Sequence, residues 1–383
     1  MFTVAATTLS VAAACDSGAV PGGLETGTLR VATFNIRELS TEQLTSVDSR
    51  GTGLDPQAVA AAVIIREARP DVLILNEIDF DWDHPDDPSL NARRFAEAYL
   101  ATRPDPLVYP YAYAAPSNTG LLSQLDLNGD GVVATDAHRG AREHGDDSYG
   151  YGTYPGQFAM AVLSRFPLAS DRARTFQRMR WRDLPGHHLP AGHFSPEAED
   201  VFRLSSKSHW DLPVVVEGDT LHLWVSHPTP PAFDGPEDRN GRRNFDEIMF
   251  WVLYLEGRDA LADDGGVTGG YGSSSPFVIA GDLNATPGDT AVVYDGVSAI
   301  DQLIDHPRIQ DSDPENRATA SWMDGVRVDY VLPSADLEIA ASGVVDPRPG
   351  ANPVVARAAE AASDHRLVWV DVVWPPVGST DVQ

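Results

Sequence analysis

Carboxylates, amides and histidines stand where the apolar runs of this 383-residue sequence stop. LRVATFN ends at Asn35, DVLILNE at Glu77, LHLWVSH at His227, and FVIAGDLN at Asp282 and Asn284. RVDYVL carries Asp329, and ASDHRLVWV carries the pair Asp364 and His365. A buried carboxylate without a partner costs several kcal/mol, so such a set implies a cation, a group of histidines, or both. Hard oxygen donors with few clustered histidines suit Mg²⁺ or Mn²⁺, with Ca²⁺ a third choice, better than zinc. Each position also has a plainer reading. Gly281, Asp282 and Asn284 are turn residues, and Asp364 and His365 suit a cap. Glu77 and Asn35 suit strand ends, and His227 could pack the rigid loop of Pro228, Thr229, Pro230 and Pro231. Six such ends over about 330 residues make more sense together, converging on one edge of a sheet, where α/β folds place their sites.

The elements that must carry these residues can be read from local pattern. Leu29 to Phe34 reads as a strand. Residues 55–69 read as a helix, with Asp55 as N-cap, Pro56 at the first helical position, Val59 and Val63 one turn apart, and Pro70 as the stop. Asp71 to Leu75 is the next strand, and strand, crossover helix, strand marks an α/β layer with parallel neighbours. Further strands are expected at 158–163, 213–216, 221–226, 276–281, 327–332 and 366–373. A second long helix fits 240–256, with Phe245, Ile248, Met249, Val252 and Leu255 along one face. Gly and Ser clusters make 258–275 read as a flexible surface loop.

Composition narrows the function classes. With 42% apolar residues the chain can bury a sizeable core. The 56 acidic against 28 basic residues, a net charge of −28, exclude a basic surface built to coat nucleic acid. Lys207 is the one lysine and Cys15 the one cysteine, which excludes an intramolecular disulfide framework and any CxxC motif.

The ordered set TFN at 33–35, NE at 76–77, GDLN at 281–284, VDYVL at 328–332 and SDH at 363–365 resembles the endonuclease/exonuclease/phosphatase superfamily, the deoxyribonuclease I-like hydrolases. AMAVLSRFP at 159–167 is similar to the strand and turn that this family carries between those motifs. The resemblance implies a four-layer α/β sandwich, two packed mixed sheets with helices outside, and phosphoester hydrolysis assisted by a divalent metal. It assigns Glu77 as the main metal ligand, with Asn35 beside it and Asp364 close enough to hold metal or its water. It makes Asp282 the group that orients or deprotonates water, and Asn284 its companion on water and a phosphate oxygen. Asp329 would fix the ring of His365 against the scissile phosphate, and His227 would be an acid for the leaving oxygen. Arg37 stands where some members keep an acidic residue, which puts a second metal-binding carboxylate in question.

Two polar stretches are candidates for substrate binding. RLSSKSHWD, 203–211, holds Lys207 beside His209, and GPEDRNGRRN, 235–244, puts Arg239 and Asn240 at the start of the second helix, where phosphate would suit; a solvated cap is the plainer reading. DLNGDG at 126–131 places Asp126, Asn128 and Asp130 at alternate positions, as in a calcium loop. Its glycine is one residue out and Ala137 stands at position twelve, so it is either a partial structural calcium site or an Asx-rich turn. MFTVAATTLSVAAAC suits a signal h-region ending in a lipoprotein-like Cys15, and residues 1–27 read as leader and tether before a single catalytic domain over 28–378. The expected protein is therefore an exported bacterial metal-dependent hydrolase at the cell surface or outside it, acting on small phosphoesters. A secreted DNA or RNA endonuclease is the rival within the class. A calcium-stabilised binding module, touching the membrane only through a lipid on Cys15, is the rival outside it.

Overall fold

The run TLRVATFNIREL forms β1, Thr28–Leu39, and the positions of its apolar residues decide the rest of the architecture. Leu29, Val31, Ala32 and Phe34 are all buried, as in a strand covered on both faces. The computed structural model describes residues 24 and 27–376, except 234, 314, 323, 324 and 348–351. The expected leader with Cys15 and nearly all of its tether lie outside the described residues.

Twelve further strands follow: β2 Val72–Ile78, β3 Tyr111–Tyr113, β4 Met160–Ser164, β5 Arg174–Thr175, β6 His209–Val216, β7 Asp219–Ser226, β8 Phe277–Asp282, β9 Val293–Tyr294, β10 Val297–Ser298, β11 Asp329–Pro333, β12 Ile339–Val345 and β13 Leu367–Val373. One sheet runs β12-β13-β1-β2-β4-β3, a second β11-β8-β7-β6-β5, and β9 with β10 makes a small hairpin. Both large sheets are mixed: β1 runs parallel to β2 and β7 to β8, and the other pairs are antiparallel.

The sheets pack face to face, with β1 and β2 against β8, and β1 and β13 against β11. Alternation within β8 shows the layering. Val278 and Ala280 join the core between the sheets, while Phe277 and Ile279 join an outer cluster beneath the helix Arg239–Leu255. In that outer layer Trp224 stacks on Phe277 at 4.1 Å between ring centroids and on Trp251 at 5.3 Å. On the far side of the first sheet lie the helices Pro56–Ala68 and Pro353–Ala362, packed on each other. Helices, sheet, sheet and helix make the expected four-layer sandwich.

The first helix starts as its sequence dictates: the Asp55 carboxylate accepts the Ala58 N–H at 2.9 Å, Pro56 follows, and Arg69 ends it in a left-handed conformation. Its buried face is not the expected one. Ala58, Ala61, Ala62 and Ile65 face inward, and Val59 is 44% exposed. The partner helix is also lined by small residues, Ala358, Ala359 and Ala362, so close backbone approach selects the alanine face and turns the branched valine out. The helix Arg239–Leu255 buries Phe245, Ile248 and Leu255 as expected, but Trp251 and Tyr254 displace the half-buried Met249 and Val252 as its main apolar contacts. The segment 258–275 is not the free loop its glycines suggested. Asp263 pairs with Arg174 at 2.8 Å, Asp264 caps Gln177 and Arg178, and Leu261 and Tyr271 are buried against the outer cluster. It covers the edge strand β5, which would otherwise present unpaired backbone.

Candidate active site

Register brings the strand-end residues together. In the first sheet Asn35 on β1 lies level with Asn76 on β2, which places Glu77 one residue beyond. In the second sheet Asp329 on β11 lies directly opposite Asp282 on β8. Asn76 joins the two halves: its carbonyl oxygen accepts Thr33 Oγ1 at 3.1 Å and the backbone N–H of Asp282 at 3.2 Å. Gly281 precedes Asp282 because any Cβ there would lie 2.0 Å from the Ser226 carbonyl oxygen. Two residues later Asn284 turns left-handed, φ 51°, so that its N–H caps Asp282 Oδ1 at 2.9 Å.

The other oxygen, Asp282 Oδ2, is the centre of the cluster. Asn35 Nδ2 donates to it at 2.9 Å and to Glu77 Oε1 at 3.0 Å. His227 Nε2 lies 3.5 Å from it and His365 Nε2 3.7 Å. On its far side the His365 ring is held by Asp329 Oδ2, 2.9 Å from Nδ1. Ser363 Oγ donates to the Asn35 carbonyl at 2.8 Å, which brings the Ser363–His365 tag beside the first strand. Trp322 meets the His365 ring edge to face at 4.7 Å.

The environments push these groups apart. Burial works against charging His365, but Asp329, Asp282 and Glu77 outweigh it and raise the ring to about 10. Burial raises Asp282 to about 6, with His365 pulling it back and Asp329 adding to the rise. Burial also raises Glu77, against the Asn35 hydrogen bond. Burial, Lys207 and His365 together drive His227 well below the usual imidazole range. Of the two rings, His365 therefore holds the extra proton. His227 is thus set against gaining charge where it lies, and its Nδ1 is without a partner among the described residues.

The donor set fits a hard divalent cation. Glu77 offers a carboxylate beside Asn35, Asp364 is half-buried next to His365 in sequence, and Asp329 Oδ1 is buried without a hydrogen-bond partner among the described residues. Asp282, Asp329 and His365 also place one ligand atom each within 4.8 Å of one another. His365 is held and charged by Asp329, which leaves Glu77, tied through Asn35 to Asp282, as the carboxylate open to a cation. Asn35 as placed turns its amide nitrogen to both carboxylates and its oxygen to the Arg37 N–H, and would serve a cation only with its amide flipped. Arg37 itself points outward at a bulge in β1, and the N–H of the next residue, Glu38, donates to Glu77 Oε2 at 3.1 Å.

Of the substrate-binding candidates, Lys207 joins the cluster and the others do not. Lys207 is 6% exposed, and its ammonium lies in the field of Glu247, Glu77 and Asp282. Among the described residues the ammonium makes no hydrogen bond or close ion pair. His209, two residues on, is a correction: it is fully buried between Ser205 Oγ and the Glu247 carbonyl, and burial lowers it to about 3. Strand alternation keeps Lys207 and His209 on one side, but β6 starts at His209 and carries it into the outer core. Asn240 spends its amide on the Ala232 carbonyl and accepts from Arg239, so both serve to hold the 228–238 loop. The 126–131 stretch is the Asx-rich turn: Asp126 accepts the N–H groups of Gly129 and Gly131, Asp130 that of Val132, and the buried Asp147 closes the base through Leu127 and Ala134.

A family model described as the endonuclease/exonuclease/phosphatase family matches residues 32–365. The chain belongs to this family. Its members are phosphoester hydrolases, and the motifs that suggested the resemblance are the ones that meet at Asp282. Among solved structures, an endonuclease/exonuclease/phosphatase from Beutenbergia cavernae is similar at 21% identity and TM-score 0.49, over 90% of this chain and 71% of that one. A family protein from Leptotrichia buccalis is similar at 14% identity and TM-score 0.46, over 90% and 99%. A mannosyl-6-phosphatase from Bacteroides thetaiotaomicron is similar at 13% identity and TM-score 0.45, over 90% and 100%. No protein of curated function matches the sequence. Within the endonuclease/exonuclease/phosphatase site, three contributors escaped sequence reading: Asn76, Trp322 and Glu247. Asn76 sat inside the NE motif and could have been asked for a role; the other two carried no signal.

Proposed function

We propose that the protein is an exported, divalent-metal-dependent hydrolase of small phosphoesters, releasing phosphate by attack of water on phosphorus. The observation that carries this reading is the meeting of Glu77, Asn35, Asp282 and the Asp329–His365 pair around one carboxylate oxygen, with the Lys207 ammonium in their field. A cation held by Glu77 and Asp364, with the Asn35 oxygen beside them, would supply Lewis acidity toward a phosphate oxygen.

The side chains do the rest. Asp282 has one oxygen fixed by the Asn284 N–H, and its other oxygen, which takes the Asn35 amide, keeps a second lone pair to accept a proton from water. At about 6 its basicity suits work near neutral pH. His365, protonated and oriented by Asp329, offers a charge-assisted hydrogen bond to the phosphate oxygens as negative charge builds. Neutral His227 presents Nε2 to the same carboxylate and can orient water or the leaving oxygen.

Small substrates are favoured by the walls. Asn118 donates its N–H to the Lys207 carbonyl and accepts from Arg203, so the segments around 117–158 and 176–204 are tied to the backbone that carries the ammonium. The net charge of −28 disfavours an open duplex cleft. Export rests on the uncharged run before Cys15. The deciding experiment measures phosphate release by the purified protein from a phosphomonoester, a bis-ester and inositol hexakisphosphate, and nicking of plasmid DNA, with EDTA or with added Mg²⁺, Mn²⁺ or Ca²⁺. Metal-dependent turnover of small esters with DNA intact is the expected result. DNA nicking would move the reading to a nuclease, and silence with every metal to a binding module.

A further inference from the structure

The helix Arg239–Leu255 is amphipathic in an unusual sense: its first half is buried although it is polar. Glu247 follows Arg243 by four residues and Asn244 by three, and Trp251 follows Glu247 by four, so all share a face. That face holds the ends of three strand-to-loop junctions. Arg243 Nε donates to the Leu204 carbonyl, and Asn244 Nδ2 to the Thr229 and Leu283 carbonyls. Trp251 Nε1 donates to Ser226 Oγ. Glu247 sits in the middle, 1% exposed, and its two oxygens each take a backbone N–H at 2.6 Å: Oε1 from Ser206, Oε2 from Thr229. Ser206 adjoins Lys207, and its hydroxyl donates to the His227 carbonyl at 3.0 Å. Thr229 lies two residues beyond His227. One buried carboxylate thus joins the loop that carries the ammonium to the loop that carries the neutral imidazole. Its charge is also the strongest attraction that the buried ammonium feels.

Nothing about protein folding alone requires a buried ammonium with no hydrogen-bond partner among the described residues beside a carboxylate already satisfied by backbone. An apolar side chain of similar volume at 207 would pack there without the cost of burying a charge. We propose that Glu247 is the positioning residue for Lys207, holding its ammonium charged and aimed at a non-bridging oxygen of the substrate phosphate. This rests on the phosphoesterase reading of the site and adds to it a specific anion-binding device: Lys207 touches phosphate, and Glu247 acts through Lys207.

The test uses the full chain and inorganic phosphate as the probe, measured both as a competitive inhibitor of turnover and by direct titration. Lys207→Met should weaken phosphate binding about 10- to 100-fold, the span of one charge-assisted hydrogen bond. Glu247→Gln keeps the shape but turns a donor toward one of the two N–H groups, and should weaken phosphate binding by at least about tenfold. The double variant should bind phosphate as Lys207→Met does, because a residue that acts only through Lys207 has nothing left to lose. Unchanged affinity in Glu247→Gln, or losses that multiply in the double variant, would overturn the proposal. Should Glu247→Gln not fold, Glu247→Asp keeps a buried carboxylate for the backbone N–H groups but shortens it by one methylene; weaker phosphate binding that adds nothing in the Lys207→Met background supports the proposal, and unchanged affinity overturns it. Turnover with phosphate affinity indifferent to Glu247 sinks this inference and spares the function. Phosphate bound through both residues by a chain that hydrolyses none of the esters does the reverse.

Discussion

Asp329→Asn isolates the charge that keeps His365 protonated. The side chain keeps its size and an oxygen to face Nδ1, so the 2.9 Å contact can persist while the negative charge goes. At an effective dielectric of about 20, unit charges at that distance attract by about 6 kcal/mol. The rise of the ring from 6.5 to about 10 corresponds to about 5 kcal/mol. Losing Asp329 is therefore enough to return a buried ring to the ordinary imidazole value of about 6.5 or below. The sign follows directly: a ring with a lowered value loses its proton as pH rises through that value. At pH 8 wild-type enzyme keeps nearly all of its rings charged, whereas the variant keeps about 3%, a loss of roughly thirtyfold from protonation alone. At pH 6 most of the variant's rings are charged again, so the deficit should shrink to a few-fold. The assay is kcat on a phosphomonoester at saturating metal, expressed as the ratio of variant to wild type at half-unit steps from pH 6 to 9. A ratio within threefold at pH 8, or one equally low at every pH, would refute the assignment of His365 as the charged group.

Other outcomes follow from the same geometry. Asp282→Asn should lower kcat by at least about 10²-fold with the fold intact, read by steady-state kinetics beside circular dichroism. Gly281→Ala, whose Cβ would press on the Ser226 carbonyl, should lower the thermal midpoint and abolish activity together, seen by calorimetry and phosphate release. Ala61→Leu should destabilise by about 1–3 kcal/mol by forcing apart the helices Pro56–Ala68 and Pro353–Ala362, whereas Val59→Ala should stay within about 0.5 kcal/mol, both by urea denaturation. The Asp246 carboxylate, aided by Asp295, raises His188 against its burial. A raised group stabilises below its unfolded value and stops doing so as pH climbs through its folded one. His188→Gln should therefore cost more stability at pH 5.5 than at pH 9, again by urea denaturation.

The catalytic strands were readable because they are buried on both faces and so run apolar until they stop. Asn35, Glu77 and Asp282 announce themselves by ending such runs, and Asp329 by opening one. The same logic misled at His209, which also follows polar residues at a strand boundary but enters the outer core, where only the fold says which side of β6 is covered. Val59 and Val63 looked like a helical stripe because apolar spacing cannot distinguish a branched face from an alanine face; the small residues of the helix Pro353–Ala362, some three hundred positions away, decide that. Glu247 was invisible for a related reason. A glutamate in the polar half of a helix reads as solvated, and its burial depends on two loops that reach it from residues 206 and 229. The loop 258–275 was misjudged because glycine counts report freedom of the backbone but not the Arg174 and Tyr271 contacts that remove it.

The pairing of β1 with β13 has a consequence for when this enzyme can act. The two strands lie side by side although they are the first and last among the described residues, with Thr28 level with Val373. His365 comes just before the second of them. A chain that has been made as far as Val345 still lacks both the strand that joins β12 to β1 and the ring that bears the positive charge. Hydrolytic power therefore does not grow with length; it waits for β13 to pair with β1.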